Sequence, residues 1–131
     1  MFNFFKKIKQ KIETKNQENS YEHLLKKYTV DDINFMSSSD KKVLILKHSP
    51  RCIVSKTIMK QFMTLYLSSS EKFYYLVVDV IDNRILSNEI AEKYKIIHQS
   101  PQVLVIDNGK CVYSKSQNEI NFNEIYENFS A

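Results

Sequence analysis

Apolar positions along the chain alternate between strand-like runs and helical spacing. Residues 43–46 form a continuous apolar run of strand length, the pattern of a strand covered on both faces. After Ser49-Pro50-Arg51, the residues Ile53, Ile58, Met59, Phe62, Met63, Tyr66 and Leu67 recur at helical spacing and predict a helix of about four turns beginning at Cys52. Serines at 68–70 end it. Aromatic and β-branched side chains over 73–80 predict a second buried strand, and residues 85–94 a helix with Ile90 and Ala91 inward. Pro101 opens a third strand over 103–106, a fourth follows over 111–114, and residues 122–129 make a closing helix. Asn108-Gly109 stands between the last two strands, and a type I′ hairpin favours this pair because both central residues need positive φ. Upstream, Thr29-Val-Asp-Asp32 has the form of a capping box opening a helix over Ile33 and Met36. Leu24, Leu25 and Tyr28 mark a short element before it. The order is βαβαββα, an α/β domain with a helical extension at its N-terminus.

That extension has its own character. Met1, Phe4, Phe5, Ile8 and Ile12 recur at helical spacing with lysines between them, so residues 1–15 read as a short basic amphipathic helix, followed by a polar linker. The expected organisation is a tail and linker over 1–20 and a folded domain over 21–131. Two readings of the tail stand side by side. It could make a weak contact with an anionic membrane surface or a partner, or it could be a loosely docked terminus, since one short helix is marginal alone. Charge supports treating it separately. The chain carries +4, and residues 1–15 hold five lysines and one acid, so the remainder is neutral. A basic nucleic-acid face is not expected.

Composition narrows the chemistry. In 131 residues there are one glycine, two prolines and two cysteines, where average usage would give about nine glycines. One glycine cannot build a phosphate-cradling loop or a dinucleotide fingerprint. Two cysteines make no disulfide scaffold, and His23, His48 and His98 lack metal-ligand spacing, so no metal site is expected. No apolar run approaches the about 18 residues of a transmembrane helix, and no secretory signal opens the chain. A reducing cytoplasm is the expected compartment.

Cys52 falls where the first strand gives way to the helix. Unpaired backbone N–H groups and the positive end of the macrodipole favour a thiolate there. Arg51 adjoins it, Lys56 follows one turn on, and His48 closes the preceding strand. The plain alternative is a buried, inert thiol. Ser55 occupies the place where a dithiol protein would carry its second cysteine, and a serine cannot resolve a mixed disulfide, so an external thiol must. Ser55 also suits the first-turn backbone N–H groups. Cys111 is the other thiol, and the predicted topology puts it about 20 Å away along a strand. A disulfide needs Cα atoms within about 7 Å, so Cys111 is expected to be strand filling. Ser100-Pro101 begins the third strand, where proline is tolerated. A cis bond costs least before proline, and one there would present backbone to an extended substrate.

Three strings in order, Lys47-His-Ser-Pro-Arg-Cys52-Ile-Val-Ser55, Asp79-Val-Ile-Asp-Asn-Arg84-Ile-Leu-Ser87-Asn-Glu-Ile-Ala91 and His98-Gln-Ser-Pro-Gln102, resemble the monothiol bacilliredoxins of the thioredoxin superfamily. The resemblance covers roughly residues 21–120. It implies a thioredoxin-like fold and an oxidoreductase that removes bacillithiol from S-bacillithiolated proteins. Cys52 would be the nucleophile, lined by His48, Ser49, Arg51 and Ser55, with Ser100 and a cis Pro101 forming the substrate-facing edge. Arg84 and Ser87 match the middle motif, where anchoring a loop and capping a helix are the plain readings. No resident cofactor is implied; bacillithiol or a similar low-molecular-weight thiol is the co-substrate, S-thiolated proteins are the partners, and a monomer is expected. Two positions depart from the family pattern, Ile53 where many members carry proline and Gln117 where a histidine follows the serine. Alternative readings are a non-catalytic binding or redox-sensing module and a glutaredoxin-like protein using another thiol. Shared iron–sulfur ligation lacks the Cys-Gly-Phe-Ser string and glycine-rich loop of the glutaredoxins that do it.

Overall fold

Alternation along each strand sorts the apolar side chains onto two faces of one sheet. The computed structural model describes residues 24, 25 and 27–131; the tail lies outside them, while Leu24, Leu25 and Tyr28, expected to mark a short element, are described, Leu24 and Leu25 packing on one core cluster and Tyr28 on the other. Strand β1 (Lys42–His48) is buried along nearly its whole length. Leu44 and Leu46 join one core cluster while Val43 and Ile45 join the other. β2 (Phe73–Asp79) pairs parallel with β1, which requires the crossover supplied by helix α2 (Ile53–Ser68). β3 (Gln102–Asp107) lies antiparallel on the other side of β1, and β4 (Lys110–Ser116) antiparallel to β3, giving the order β2-β1-β3-β4. The outer strand β4 keeps Lys110 exposed and is largely uncovered, as suits an edge.

Helix α2 and the closing helix α4 (Phe122–Phe129) cover one face, where Phe62 and Tyr75 meet edge to face with ring centres 5.6 Å apart. Helices α1 (Val30–Ser37) and α3 (Arg84–Lys93) cover the other through Ile33, Leu86 and Ile90. The expected devices are in place. Thr29 and Asp32 close a reciprocal capping box on α1. Asn108 and Gly109 both take positive φ, at 49° and 78°, and are tied to α1, since the Ser37 carbonyl accepts from Asn108 N–H at 2.8 Å and Ser37 Oγ from Gly109 N–H at 2.9 Å. Helix α3 ends in a Schellman pattern in which Lys95, not glycine, takes the left-handed position at φ 54°. Among the described residues, no helix is long and apolar enough to cross a membrane.

Candidate active site

The carboxyl ends of β1 and β2 and the start of β3 meet at one end of the sheet. β1 leaves through Ser49-Pro50-Arg51, and Cys52 is the N-cap of α2, in extended backbone. Its N–H donates to the Ser49 carbonyl at 3.1 Å and its carbonyl accepts from Lys56 N–H at 3.0 Å, so a tight turn delivers the residue to the helix start. The Cys52 side chain makes no capping hydrogen bond, leaving the sulfur half-buried at the end of the helix where backbone N–H groups converge. Arg51 and Lys56 are exposed on either side of it.

Ser55 is fully buried and does not cap its own helix. Its Oγ accepts from Ser49 N–H at 2.9 Å and lies 2.7 Å from His48 Nδ1, fastening the β1–α2 turn to the helix. His48 is itself buried, and desolvation is the main cause holding its pKa below the ordinary histidine value, against the opposing charge of Asp79. Asp79 stands opposite His48 in the β1–β2 register and accepts at Oδ1 from Ile81 N–H and Asp82 N–H, shaping the loop into α3.

The Ser100–Pro101 peptide is cis, immediately ahead of β3. Gln102 pairs with Lys47 across the β1–β3 register, so this peptide and the Cys52 turn share one end of the sheet. The Pro101 carbonyl accepts from Gln117 N–H at 3.0 Å. Ser100 Oγ is buried and, among the described residues, has no hydrogen-bond partner.

Two groups at this end escape the sequence reading. Lys47, the penultimate residue of β1, is completely buried, and Gln102 beside it nearly so. Gln102 Nε2 donates to the Ile97 carbonyl at 3.0 Å, and Lys47 Nζ donates to the Ser87 carbonyl at 2.8 Å and contacts His98 Nδ1 at 3.1 Å. Together they hold the loop ahead of Pro101 from beneath. Burial pulls the Lys47 pKa down to about 8. Ser87 is not a helix cap, since the N-cap of α3 is Asn83; Ser87 lies one turn in, buried, with its Oγ 3.2 Å from His98 Nδ1. The signal for Lys47 was its parity with Val43 and Ile45, which puts all three side chains on one covered face.

Large apolar side chains rim this end in solvent. Ile53 is 80% exposed and Ile97 82%, with Ile81 in the intervening loop also exposed. A groove of about 580 Å³ between the last turns of α2 and the start of α4 lies at the other end of α2 from Cys52, so the thiol is at a rim and not in that cavity.

Cys111 is near the hairpin, opposite Ile106 and far from the β1–α2 turn. Its Sγ donates to the Tyr113 carbonyl at 3.2 Å, and burial pushes its thiol pKa up. The topology therefore separates the two sulfurs as the sequence reading expected.

Solved structures with the same architecture are thiol redox proteins. A protein described as an oxidoreductase with a thioredoxin fold is 26% identical, with 82% of this chain and 95% of that chain covered at a TM-score of 0.69. Thioredoxin from Malassezia sympodialis (Mala s 13) is 19% identical, covering 79% and 87% at 0.64, and mitochondrial thioredoxin 3 from Saccharomyces cerevisiae 14% identical, covering 83% and 95% at 0.62. The fold is that of thioredoxin. The family model for monothiol bacilliredoxin BrxC matches residues 22–125, which include the Cys52 turn, the α3 entry and the Pro101 loop. On that match this chain belongs to the monothiol bacilliredoxin family.

Proposed function

We propose that the protein is a monothiol exchanger that strips bacillithiol from S-bacillithiolated proteins in a reducing cytoplasm, using Cys52 alone. The Cys52 thiolate attacks the bacillithiol sulfur of the mixed disulfide. A Cys52–bacillithiol disulfide forms as the original S–S bond breaks, and the electron pair leaves on the substrate's sulfur, which takes a proton from water. An external thiol then attacks the bacillithiol sulfur of the adduct, a disulfide between those two forms as the Cys52 S–S bond breaks, and Cys52 leaves as the thiolate, so the external thiol is oxidised and the protein is not. The apolar rim of Ile53, Ile81 and Ile97 suits a protein substrate.

The observation that carries this reading is the contrast within Cys52-Ile-Val-Ser55. The sulfur is half-buried at a helix start, while the hydroxyl three residues on is buried and engaged with Ser49 N–H and His48. Ser55 supports the turn and offers nothing that could resolve a disulfide, so the adduct has to wait for a second molecule.

The test is intact-mass analysis after incubation with oxidised bacillithiol. Wild type should gain one bacillithiol, lost again on adding a reducing thiol, and Cys52→Ser should gain none. An adduct on Cys52→Ser, or a wild-type adduct that no thiol releases, would favour a sensing module instead.

A further inference from the structure

Lys47 Nζ meets His98 beside the Pro101 loop, Arg84 stands one turn before Ser87 on α3, where Ser87 Oγ also meets His98, and the described hydrogen bonds of Lys47 go to no acid. An ammonium has only donors, so in the Lys47–His98 contact Nδ1 must accept, and the neutral imidazole carries its proton on Nε2. Ser87 Oγ stands on the same inner nitrogen. His98 is an exposed residue three positions before Pro101, and Nε2 is the ring nitrogen not engaged by Lys47 and Ser87. Desolvation and then the charges of Lys47 and Arg84 hold the His98 pKa below its ordinary value, so the ring stays neutral in a positive field. A buried ammonium is costly where an apolar side chain would pack as well. Packing alone does not account for Lys47.

We propose that Arg84 and the Nε2–H edge of His98, oriented by Lys47, bind a carboxylate on the small thiol under exchange and so turn its sulfur, in preference to the protein's, toward Cys52. This rests on the reading of Cys52 as the nucleophile for a low-molecular-weight thiol. A carboxylate fits because it can accept from an imidazole N–H and a guanidinium at once. Arg84 and His98 meet the ligand; Lys47 is a positioning residue that acts through His98.

The test compares a peptide mixed disulfide of mercaptosuccinate with the same peptide carrying 2-mercaptoethanol. Wild type should form the Cys52 adduct with a kcat/KM about tenfold higher for mercaptosuccinate, the size of one charged hydrogen bond, and the preference should shrink with salt. Lys47→Met should lose the preference, its two rates converging whatever the variant's rate on the 2-mercaptoethanol disulfide. Lys47→Arg should restore part of it. His98→Gln and Arg84→Gln change exposed side chains and carry the same test should Lys47→Met fail to fold. Equal wild-type rates on the two disulfides, or variants that slow both equally, overturn the proposal. A second readout is independent of exchange. In Cys52→Ser, imidazole ¹⁵N signals should show His98 unprotonated at Nδ1 and should shift on titration with succinate, and the shift should vanish in the added Lys47→Met background. If no disulfide reacts but succinate still shifts His98, the reading of Cys52 falls and the carboxylate site stands. If no shift occurs, the site falls.

Discussion

The two ends of the sheet each hold one cysteine and one buried serine that fastens a turn, yet only one end sets its sulfur at a helix start. At the hairpin end, Ser37 ties Asn108 and Gly109 to α1, and the Cys111 thiol is spent on the Tyr113 carbonyl. At the β1 end, Ser55 ties Ser49 to α2 in the same way, but Cys52 has no such acceptor and sits where a helix begins. The difference teaches that the two thiols are told apart by position, and on the proposed function it is position that makes one of them a nucleophile. Serine performs one mechanical task at both ends, and the sulfur acquires a use where the chain turns from strand to helix without spending it.

The largest effect that could break this comparison is on exchange itself. Cys52→Ser should reduce dethiolation to the uncatalysed level, and Cys111→Ser should leave it unchanged, as followed by release of substrate thiol. A rate loss in Cys111→Ser would mean that the far sulfur takes part. Next come the two serines. Ser55→Ala and Ser37→Ala should each cost about 1–3 kcal/mol, the price of stranding buried polar groups, seen as a lower urea midpoint. Only Ser55→Ala should also change the exchange rate.

A third, smaller effect is on pH. Both described histidines lie at the reactive end, and burial holds each below its ordinary pKa. An unfolded histidine titrates near about 6.5, so below that pH the unfolded chain binds more protons than the folded one and stability falls as pH drops. His48→Gln should flatten the decline in urea midpoint between about pH 7 and 5. A steeper decline would contradict the burial argument. The smallest effect is at Lys95, whose φ of 54° is costly for a side chain. Lys95→Gly should raise the thermal midpoint by the equivalent of at most about 1 kcal/mol.

Much of this was legible in one dimension. Residues 43–46 read as a doubly covered strand because every position was apolar, Asn108-Gly109 announced its turn, and Cys52 fell at a strand–helix junction. These are local properties of consecutive residues. For Lys47 the parity with Val43 and Ile45 gave the face but not the cover, since a polar residue at a strand end reads as the exit to solvent, and Gln102 reads the same way. The loop that covers Lys47 is contributed by His98, 51 residues later, and no local pattern announces such a lid. Ser55 was half legible. Its place in the motif was clear, while its burial and its bonds to Ser49 and His48 depend on how the turn closes.

The Pro101 carbonyl is held by the N–H of Gln117, and Ser116 Oγ meets Gln99 beside it. The Pro101 loop is thus stitched to the segment around Ser116 and Gln117. Synthesis runs from the amino end, so Cys52 leaves the ribosome well before the segments that frame it. A nascent chain therefore presents the Cys52 turn before residue 117, which fastens the Pro101 carbonyl, has been made.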